Sequence, residues 1–190
     1  MVCGKHLNFE EDVKCADCAK SERKFDKGLA LYEYKSIKDS VFAFKNRKRP
    51  DYGRFYGRMM AEYLGTAVRG MKPDAIIPIP LDPGKMTDRG YNQSEILAKA
   101  LAMECGVPVR TDILLKRKIG KAQKKLNREE RQNNIKKAFH IDQNDVKLKT
   151  VLVVDDVYTT GATIDAAAAA LKAKGVDKVY FATLAIGKGF

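Results

Sequence analysis

Short continuous runs of apolar residues mark the strands of this chain. Residues 75–80, 151–154 and 179–186 are apolar on both faces, which is typical of strands buried in a parallel sheet. The middle run is the centre of a strand predicted over residues 149–157. Residues 29–34 alternate between apolar and polar positions and predict a further strand. The three runs without alternation are therefore expected to be buried.

Apolar residues at helical spacing fill the segments between these runs. They predict helices over residues 36–46, 53–69 and 162–174, and a helix capped by Asn92 or Ser94 that runs to about Cys105. Residues 109–115 predict another strand, and residues 116–137 are basic and poor in apolar positions, so we expect a mobile arm there. Strands that alternate with helices predict an α/β fold with a mainly parallel sheet flanked by helices.

The strand predicted at 149–157 ends in two carboxylates, Asp155 and Asp156, and a loop with hydroxyl groups and one glycine follows. Ligands of open α/β sheets bind at the carboxyl ends of the strands. The hydroxyl and N–H groups of residues 159–163, with the following helix N-terminus, suit an anion. The carboxylates would repel that anion but can accept hydrogen bonds from ribose hydroxyls. The pattern therefore favours a ribose 5-phosphate, and no Gly-Lys-Ser/Thr loop for a nucleoside triphosphate is present.

A second loop with basic residues follows the predicted strand at 75–80. Residues 81–91 contain Lys85, Arg89 and Gly90 and lead into the next predicted helix. The same reasoning predicts a second anion site there. An ordinary loop with solvated Lys and Arg side chains is the alternative.

Charge is concentrated in two parts of the chain. The net charge is +12; residues 110–140 hold eleven basic and three acidic residues, and residues 45–58 hold six and one. Such patches indicate either a solvated face or a polyanionic partner. Aromatic side chains stand beside the second patch, as in proteins that bind single-stranded DNA. The candidate DNA-binding residues are Arg47, Lys48, Arg49, Arg54 and Arg58.

The N-terminal segment 1–27 is short, polar and rich in cysteine. Cys15 and Cys18 form a C-x-x-C pair and Cys3 lies twelve residues earlier, which predicts a small knuckle around a structural Zn²⁺. His6 is the candidate fourth ligand. A redox pair would need a thioredoxin-like βαβ setting that is not present here, and incidental surface thiols are the remaining alternative. The segment 28–190 is predicted to form the globular domain.

No apolar run approaches the roughly 20 residues that cross a bilayer. The first residues also differ from a secretory signal peptide. We therefore expect a cytoplasmic protein without membrane insertion.

Residues 151–163 closely resemble the phosphoribosyl pyrophosphate (PRPP) signature of the type I phosphoribosyltransferases. Within that superfamily the whole chain resembles the ComF family of competence proteins, related to GntX. Pro78, Ile79 and Pro80, followed by residues 89–94, resemble the loop on the pyrophosphate side, and the cysteines resemble the zinc knuckle. The family pattern has another cysteine three residues before Cys3, ahead of Met1. Either the start has been placed late, or His6 completes the site, or metal is bound weakly or lost.

The resemblance implies a type I phosphoribosyltransferase core with a mobile hood and a small N-terminal zinc knuckle. It assigns the catalytic role to Asp155, Asp156 and Arg89. Mg²⁺ would be held mostly by PRPP oxygens. The implied PRPP-binding residues are Asp155, Asp156, Val157, Tyr158, Thr159, Thr160, Gly161, Ala162, Thr163, Lys85 and Arg89, with Arg117 and Lys121 of the arm as further pyrophosphate ligands.

Three functions follow from the resemblance and stay open at this point. The first is a PRPP-dependent protein of DNA uptake that transfers or senses ribose 5-phosphate with loss of pyrophosphate. The second is a non-catalytic module that binds single-stranded DNA. The third is a scaffold that docks other competence proteins, such as the helicase of the ComF operon.

Overall fold

The computed structural model describes residues 3–4, 15, 18–19, 22–116, 138–142 and 147–187. Its strands are β1 (Lys27–Glu33), β2 (Ala75–Pro78), β3 (Leu115–Lys116), β4 (Phe139–His140), β5 (Thr150–Tyr158) and β6 (Lys178–Ile186). Its helices are α1 (Tyr34–Asn46), α2 (Pro50–Met71), α3 (Pro83–Arg89), α4 (Gln93–Cys105) and α5 (Ala162–Lys172). Most predicted elements are confirmed to within a few residues.

Four strands form one sheet in the order β1-β6-β5-β2, and every pairing in it is parallel. The two central strands are therefore β6 and β5. β3 and β4 pair separately as a short antiparallel ribbon. The predicted mainly parallel sheet is confirmed.

Both faces of the sheet are covered, which explains why its central strands contain apolar runs that do not alternate with polar residues. On one face Val151, Val153 and Phe181 pack with Ile164 and Leu171 of α5. On the other face, alternate residues of the same strands, such as Leu152 and Val154, join a core built from α1, α2 and α4. Opposite faces of one strand thus bury separate cores.

Helices α2 and α4 approach closely because α2 places glycines on the contact face. A Cβ atom at Gly53 would lie 2.7 Å from the Phe44 ring and 2.9 Å from Ile96. A Cβ at Gly57 would lie 2.6 Å from that of Ala100. The glycines therefore set the distance between α2, which carries two of the candidate DNA-binding residues, and α4.

Two predictions about this region were wrong. Residues 109–115 do not form a continuous strand: Val109 makes an isolated bridge to Ile76, and only the end of the segment joins β3. Residues 81–91 are not a plain loop, because they contain α3. Asp82 accepts a hydrogen bond from the Gly84 N–H at 3.0 Å and Pro83 occupies the first helical turn, a combination that starts helices without an apolar stripe.

The predicted arm lies mostly outside the described residues, since residues 117–137 are not described. The boundary after residue 27 stays a prediction. No helix in the described part of the chain is both long and apolar enough to span a bilayer.

Candidate functional site

The carboxyl ends of β5 and β2 meet at one edge of the sheet. Pro78 pairs with Val154, one residue before the acidic pair. Asn92, the N-cap of α4, donates its side-chain N–H to the Ile79 carbonyl at 3.0 Å, and the Ile79 N–H donates to the Val154 carbonyl at 2.9 Å. The two ends of the second loop are therefore joined beside β5. The predicted site residues of both loops therefore lie at the edge where α/β sheets bind ligands.

The loop after β5 presents polar groups at the start of a helix. Thr159 and Thr160 are exposed, and Gly161 is the N-cap of α5 with a φ of 84°. Most residues avoid this left-handed conformation, which glycine adopts without strain. The Thr160 hydroxyl accepts a long hydrogen bond of 3.5 Å from the Ala162 N–H. N–H groups of the first turn and the helix dipole make this loop suitable for a phosphate.

The two carboxylates differ in their surroundings. Asp155 Oδ1 accepts hydrogen bonds from Ser94 Oγ at 3.0 Å and from the Asp156 N–H at 2.8 Å. Asp156 is buried and forms an ion pair with Lys45, with 2.8 Å between Nζ and Oδ1. The pair is therefore held from α4 on one side and from α1 on the other.

Asp155 is poised to change protonation near neutral pH. Burial, and after it the charge of Asp156, raise the pKa of Asp155 from its ordinary 3.8 to about 7. The two hydrogen bonds that it accepts and the charge of Lys45 act in the opposite direction. A ligand that donates hydroxyl groups to this carboxylate therefore favours its ionised form.

Lys45 is a site residue that sequence reasoning missed. The carbonyl of Phe44, its neighbour in the last turn of α1, accepts hydrogen bonds from the Tyr91 hydroxyl and from Gln93. These bonds fix the end of α1 against the second loop. In the sequence Lys45 is one of six basic residues between positions 45 and 58, and no sequence pattern separates it from the other five.

The basic residues of the second loop lie on α3. Lys85 and Arg89 are exposed or partly exposed, and Arg89 donates to Gln93 Oε1 at 2.9 Å. Lys116 of β3 joins them: burial lowers its pKa, and the charge of Lys85 acts in the same direction. The charge of Asp155 also acts on Lys116. Lys116 therefore lies near both Lys85 and Asp155, and sequence reasoning missed it as a site residue.

Tyr158 and Val157 occupy different positions from the loop residues beside them. Tyr158 is fully buried, and its ring stacks on Phe181 with centroids 4.9 Å apart. Val157 is partly buried and pairs with Ala185. The structure therefore places Tyr158 under the turn at Gly161 and Val157 on the opposite face of β5.

The five candidate DNA-binding residues lie together at the end of α1 and the start of α2, and all are exposed. Arg49 binds Asp51 through two hydrogen bonds of 2.9 and 2.7 Å and covers the Tyr52 ring at 5.2 Å. Arg47 lies 5.9 Å from the centre of the Phe42 ring. This patch begins two residues after Lys45, so it adjoins the acidic pair.

Three of the predicted zinc ligands come together. The Sγ atoms of Cys3, Cys15 and Cys18 all lie within 4.8 Å of one another, and those of Cys3 and Cys15 are 3.4 Å apart. Thiolates about 2.3 Å from a tetrahedral Zn²⁺ are separated by similar distances. The cluster can therefore hold a metal ion. His6 lies outside the described residues.

Comparisons with known proteins show what this chain is similar to. A model of the phosphoribosyl transferase domain matches residues 56–189. Competence protein F of Haemophilus influenzae is 32% identical over 189 residues, which cover 93% of this chain and 80% of that protein. Competence protein ComFC of Streptococcus pneumoniae is 30% identical over 180 residues, 93% of this chain and 77% of that protein. Among solved structures, a purine phosphoribosyltransferase from Pyrococcus horikoshii is 21% identical with a TM-score of 0.45, over 70% of this chain and 74% of that one.

Proposed function

This chain belongs to the ComF family of competence proteins, which carry a phosphoribosyl transferase domain, and from that premise we propose that it binds PRPP and acts in DNA uptake. One observation carries the proposal. An acidic pair and a glycine-capped helix N-terminus lie side by side at the carboxyl edge of a parallel sheet. The acidic pair can accept hydrogen bonds from ribose hydroxyls, and the helix N-terminus can bind the 5-phosphate.

The groups of PRPP have natural positions in this arrangement. The phosphate contacts the hydroxyl and N–H groups of residues 159–163, and the ribose hydroxyls donate to Asp155 and Asp156. The pyrophosphate faces Lys85 and Arg89, with Lys116 nearby and Arg117 and Lys121 in the part of the arm that is not described. Carboxylate oxygens are hard donors that suit Mg²⁺, but this ion keeps most of its waters and would be held mainly by PRPP.

The proposed chemistry is the transfer of ribose 5-phosphate, or the sensing of PRPP without transfer. In transfer, the bond from ribose C1 to a pyrophosphate oxygen breaks, pyrophosphate leaves with the electron pair, and a nitrogen nucleophile bonds to C1. Positive charge develops on the ring and negative charge on the pyrophosphate. In this proposal Asp155 and Asp156 stabilise the ring, and Lys85 and Arg89 stabilise the leaving group.

Calorimetric titration of PRPP with Mg²⁺ tests the proposal. Wild type should bind, and the Asp155→Asn/Asp156→Asn variant should not. The matched control is Asp39→Asn/Glu62→Gln, which makes the same charge change at exposed helix positions and should bind like wild type. Folded wild-type protein that does not bind PRPP would contradict the proposal.

Binding of single-stranded DNA is a second candidate, favoured by aromatic side chains among exposed cations. Phe42 and Phe55 are 55% and 50% exposed in the basic patch. Bases stack on such rings while the cations bind phosphates. The patch adjoins the acidic pair through Lys45, so the DNA and PRPP sites would be neighbours.

The DNA candidate is tested by the salt dependence of binding to an oligonucleotide. The logarithm of affinity should fall linearly with the logarithm of salt concentration. Reversing Arg47, Lys48 and Arg49 to Glu should abolish DNA binding, whereas PRPP should still bind at saturating concentration. The control reverses Lys147, Lys149 and Lys178, three exposed cations near the amino ends of β5 and β6. Equal losses in both triple variants would show that total charge, rather than this patch, binds DNA.

A structural Zn²⁺ at Cys3, Cys15 and Cys18 completes the proposal. Elemental analysis of gently purified protein should find about one zinc per chain. Cys15→Ser should lose it, while Cys105→Ser should retain it because Cys105 lies apart on α4. Zinc retained by the Cys15→Ser variant would disprove this site.

A further inference from the structure

The cysteine cluster lies under the loop that precedes α5. Cys3 and Cys18 are buried in the same core as Phe25, Tyr158 and Ile164. Phe25 contacts Tyr158 edge-on with ring centroids 6.1 Å apart. A feature predicted to be a separate knuckle therefore shares packing with the candidate phosphate site.

Arg23 connects the N-terminal segment to the first turn of α5. Its side chain is 10% exposed, and its guanidinium binds Asp165 with 2.7 Å between Nη1 and Oδ2. The N–H of Lys24 donates to the other oxygen of Asp165 at 3.0 Å. Arg23 and Lys24, which follow the cysteines in the sequence, therefore bind both carboxylate oxygens of Asp165 in the first turn of α5.

The same guanidinium forms the floor of the glycine turn. A Cβ atom at Gly161 would lie 3.1 Å from Arg23 Nη1 and 2.8 Å from Tyr158 Cζ. The main chain of the loop therefore rests directly on these two side chains. A displacement of Arg23 would remove support from the N–H groups that face the ligand.

Arg23 also reaches the metal-binding side of this region, because its side chain hydrogen-bonds with Cys18. A metal-bound thiolate carries negative charge and is oriented by donors in the surrounding shell. A metal ion at the cluster therefore restricts the position of Arg23 through Cys18, and Arg23 in turn restricts the position of Asp165 through their ion pair.

We infer that Arg23 is a positioning residue that couples the cysteine cluster to the phosphate-binding loop. Metal bound by Cys3, Cys15 and Cys18 orders the loop through Arg23 and Asp165, and loss of the metal loosens it. The inference rests on the proposed function for the effect on PRPP, but the coupling itself is measurable without PRPP.

Hydrogen exchange of full-length protein tests the coupling. Amides of residues 159–165 should exchange about tenfold faster after chelation of the metal. In the Arg23→Met variant the same amides should exchange at the rate of the chelated wild type although the variant retains its zinc. Chelation should then change their exchange rate little. Arg69→Met, which removes an exposed arginine paired with Glu104 on another face, should keep the full metal effect.

PRPP titration adds the functional readout. Metal removal or Arg23→Met should weaken PRPP binding about tenfold, the scale typical of residues that orient metal ligands. If Arg23→Met does not fold, Asp165→Asn should weaken PRPP binding to the same extent, because it removes the partner of Arg23 in the ion pair. An exchange rate of residues 159–165 that does not change when zinc falls from one equivalent to none would overturn the inference. Chelation that accelerates exchange in Arg23→Met as much as in wild type would also overturn it. A chain that takes up no added Zn²⁺ would do the same. Failure to bind PRPP with an intact exchange effect would instead refute only the proposed function.

Discussion

Asp155 combines burial with a neighbouring charge, and this combination makes the ligand-free site sensitive to pH. Its pKa is raised to about 7 in the folded protein, whereas the unfolded chain has the ordinary value of 3.8. Between these values the folded state binds the extra proton. The contribution of this group to stability is therefore fully present below about pH 4 and is lost as the pH rises through 7.

The Asp155→Asn variant should remove this dependence. Relative to wild type it should be more stable by roughly 2–4 kcal/mol at pH 8, with the difference shrinking as the pH falls to 5. Urea unfolding at several pH values measures the difference, with Asp39→Asn as control. A difference that does not vary with pH would contradict the raised pKa.

Lys45 is expected to tune this carboxyl from α1. Its positive charge lowers the pKa of Asp155 and forms an ion pair with Asp156. In Lys45→Met the midpoint of Asp155 titration should move upward, as followed by carboxyl-carbon NMR. Lys38→Met, at an exposed position of the same helix, should leave it in place. An equal midpoint in both variants would mean that Lys45 does not act on Asp155.

At the scale of elements, the sequence predicted the parts that its periodicity and local chemistry determine. The buried strands, the loop after β5 and the cysteine cluster are such cases. α3 was missed because seven mostly polar residues carry no apolar stripe, although Asp82 and Pro83 signal its start. Lys45 and Arg23 were missed because each acts on a residue more than a hundred positions away, and only the packing of elements brings them together.

Two glycines of α2 allow a direct comparison of packing with helix propensity. Gly57→Ala places a methyl group 2.6 Å from the Cβ of Ala100 and should lower the free energy of unfolding by roughly 1–3 kcal/mol. Gly70→Ala adds a methyl group with nothing within 4 Å and should raise it by up to about 1 kcal/mol. Chemical denaturation measures both. Stabilisation by Gly57→Ala would contradict the close contact between α2 and α4.

At the scale of the whole molecule, charge is expected to guide ligand approach. The basic patch adjoins the acidic pair, and PRPP is strongly anionic. Stopped-flow measurements should show a PRPP association rate that falls as salt rises, because screening shortens the reach of the patch.

The triple reversal of Arg47, Lys48 and Arg49 should slow association by about tenfold or more at low salt. The reversal at Lys147, Lys149 and Lys178 should change the rate much less. Equal slowing in the two variants would show that only the total charge matters.

The position of β6 has a consequence for how the chain folds during synthesis. β6 follows the other described strands in the sequence but lies in the middle of the sheet, between β1 and β5. As the ribosome extends the chain, β1 remains unpaired until its partner strand β6 has emerged, about 150 residues later. Such a topology folds slowly, and its unpaired strands are exposed to aggregation in the interval. The nascent protein is therefore expected to depend on chaperones until β6 inserts.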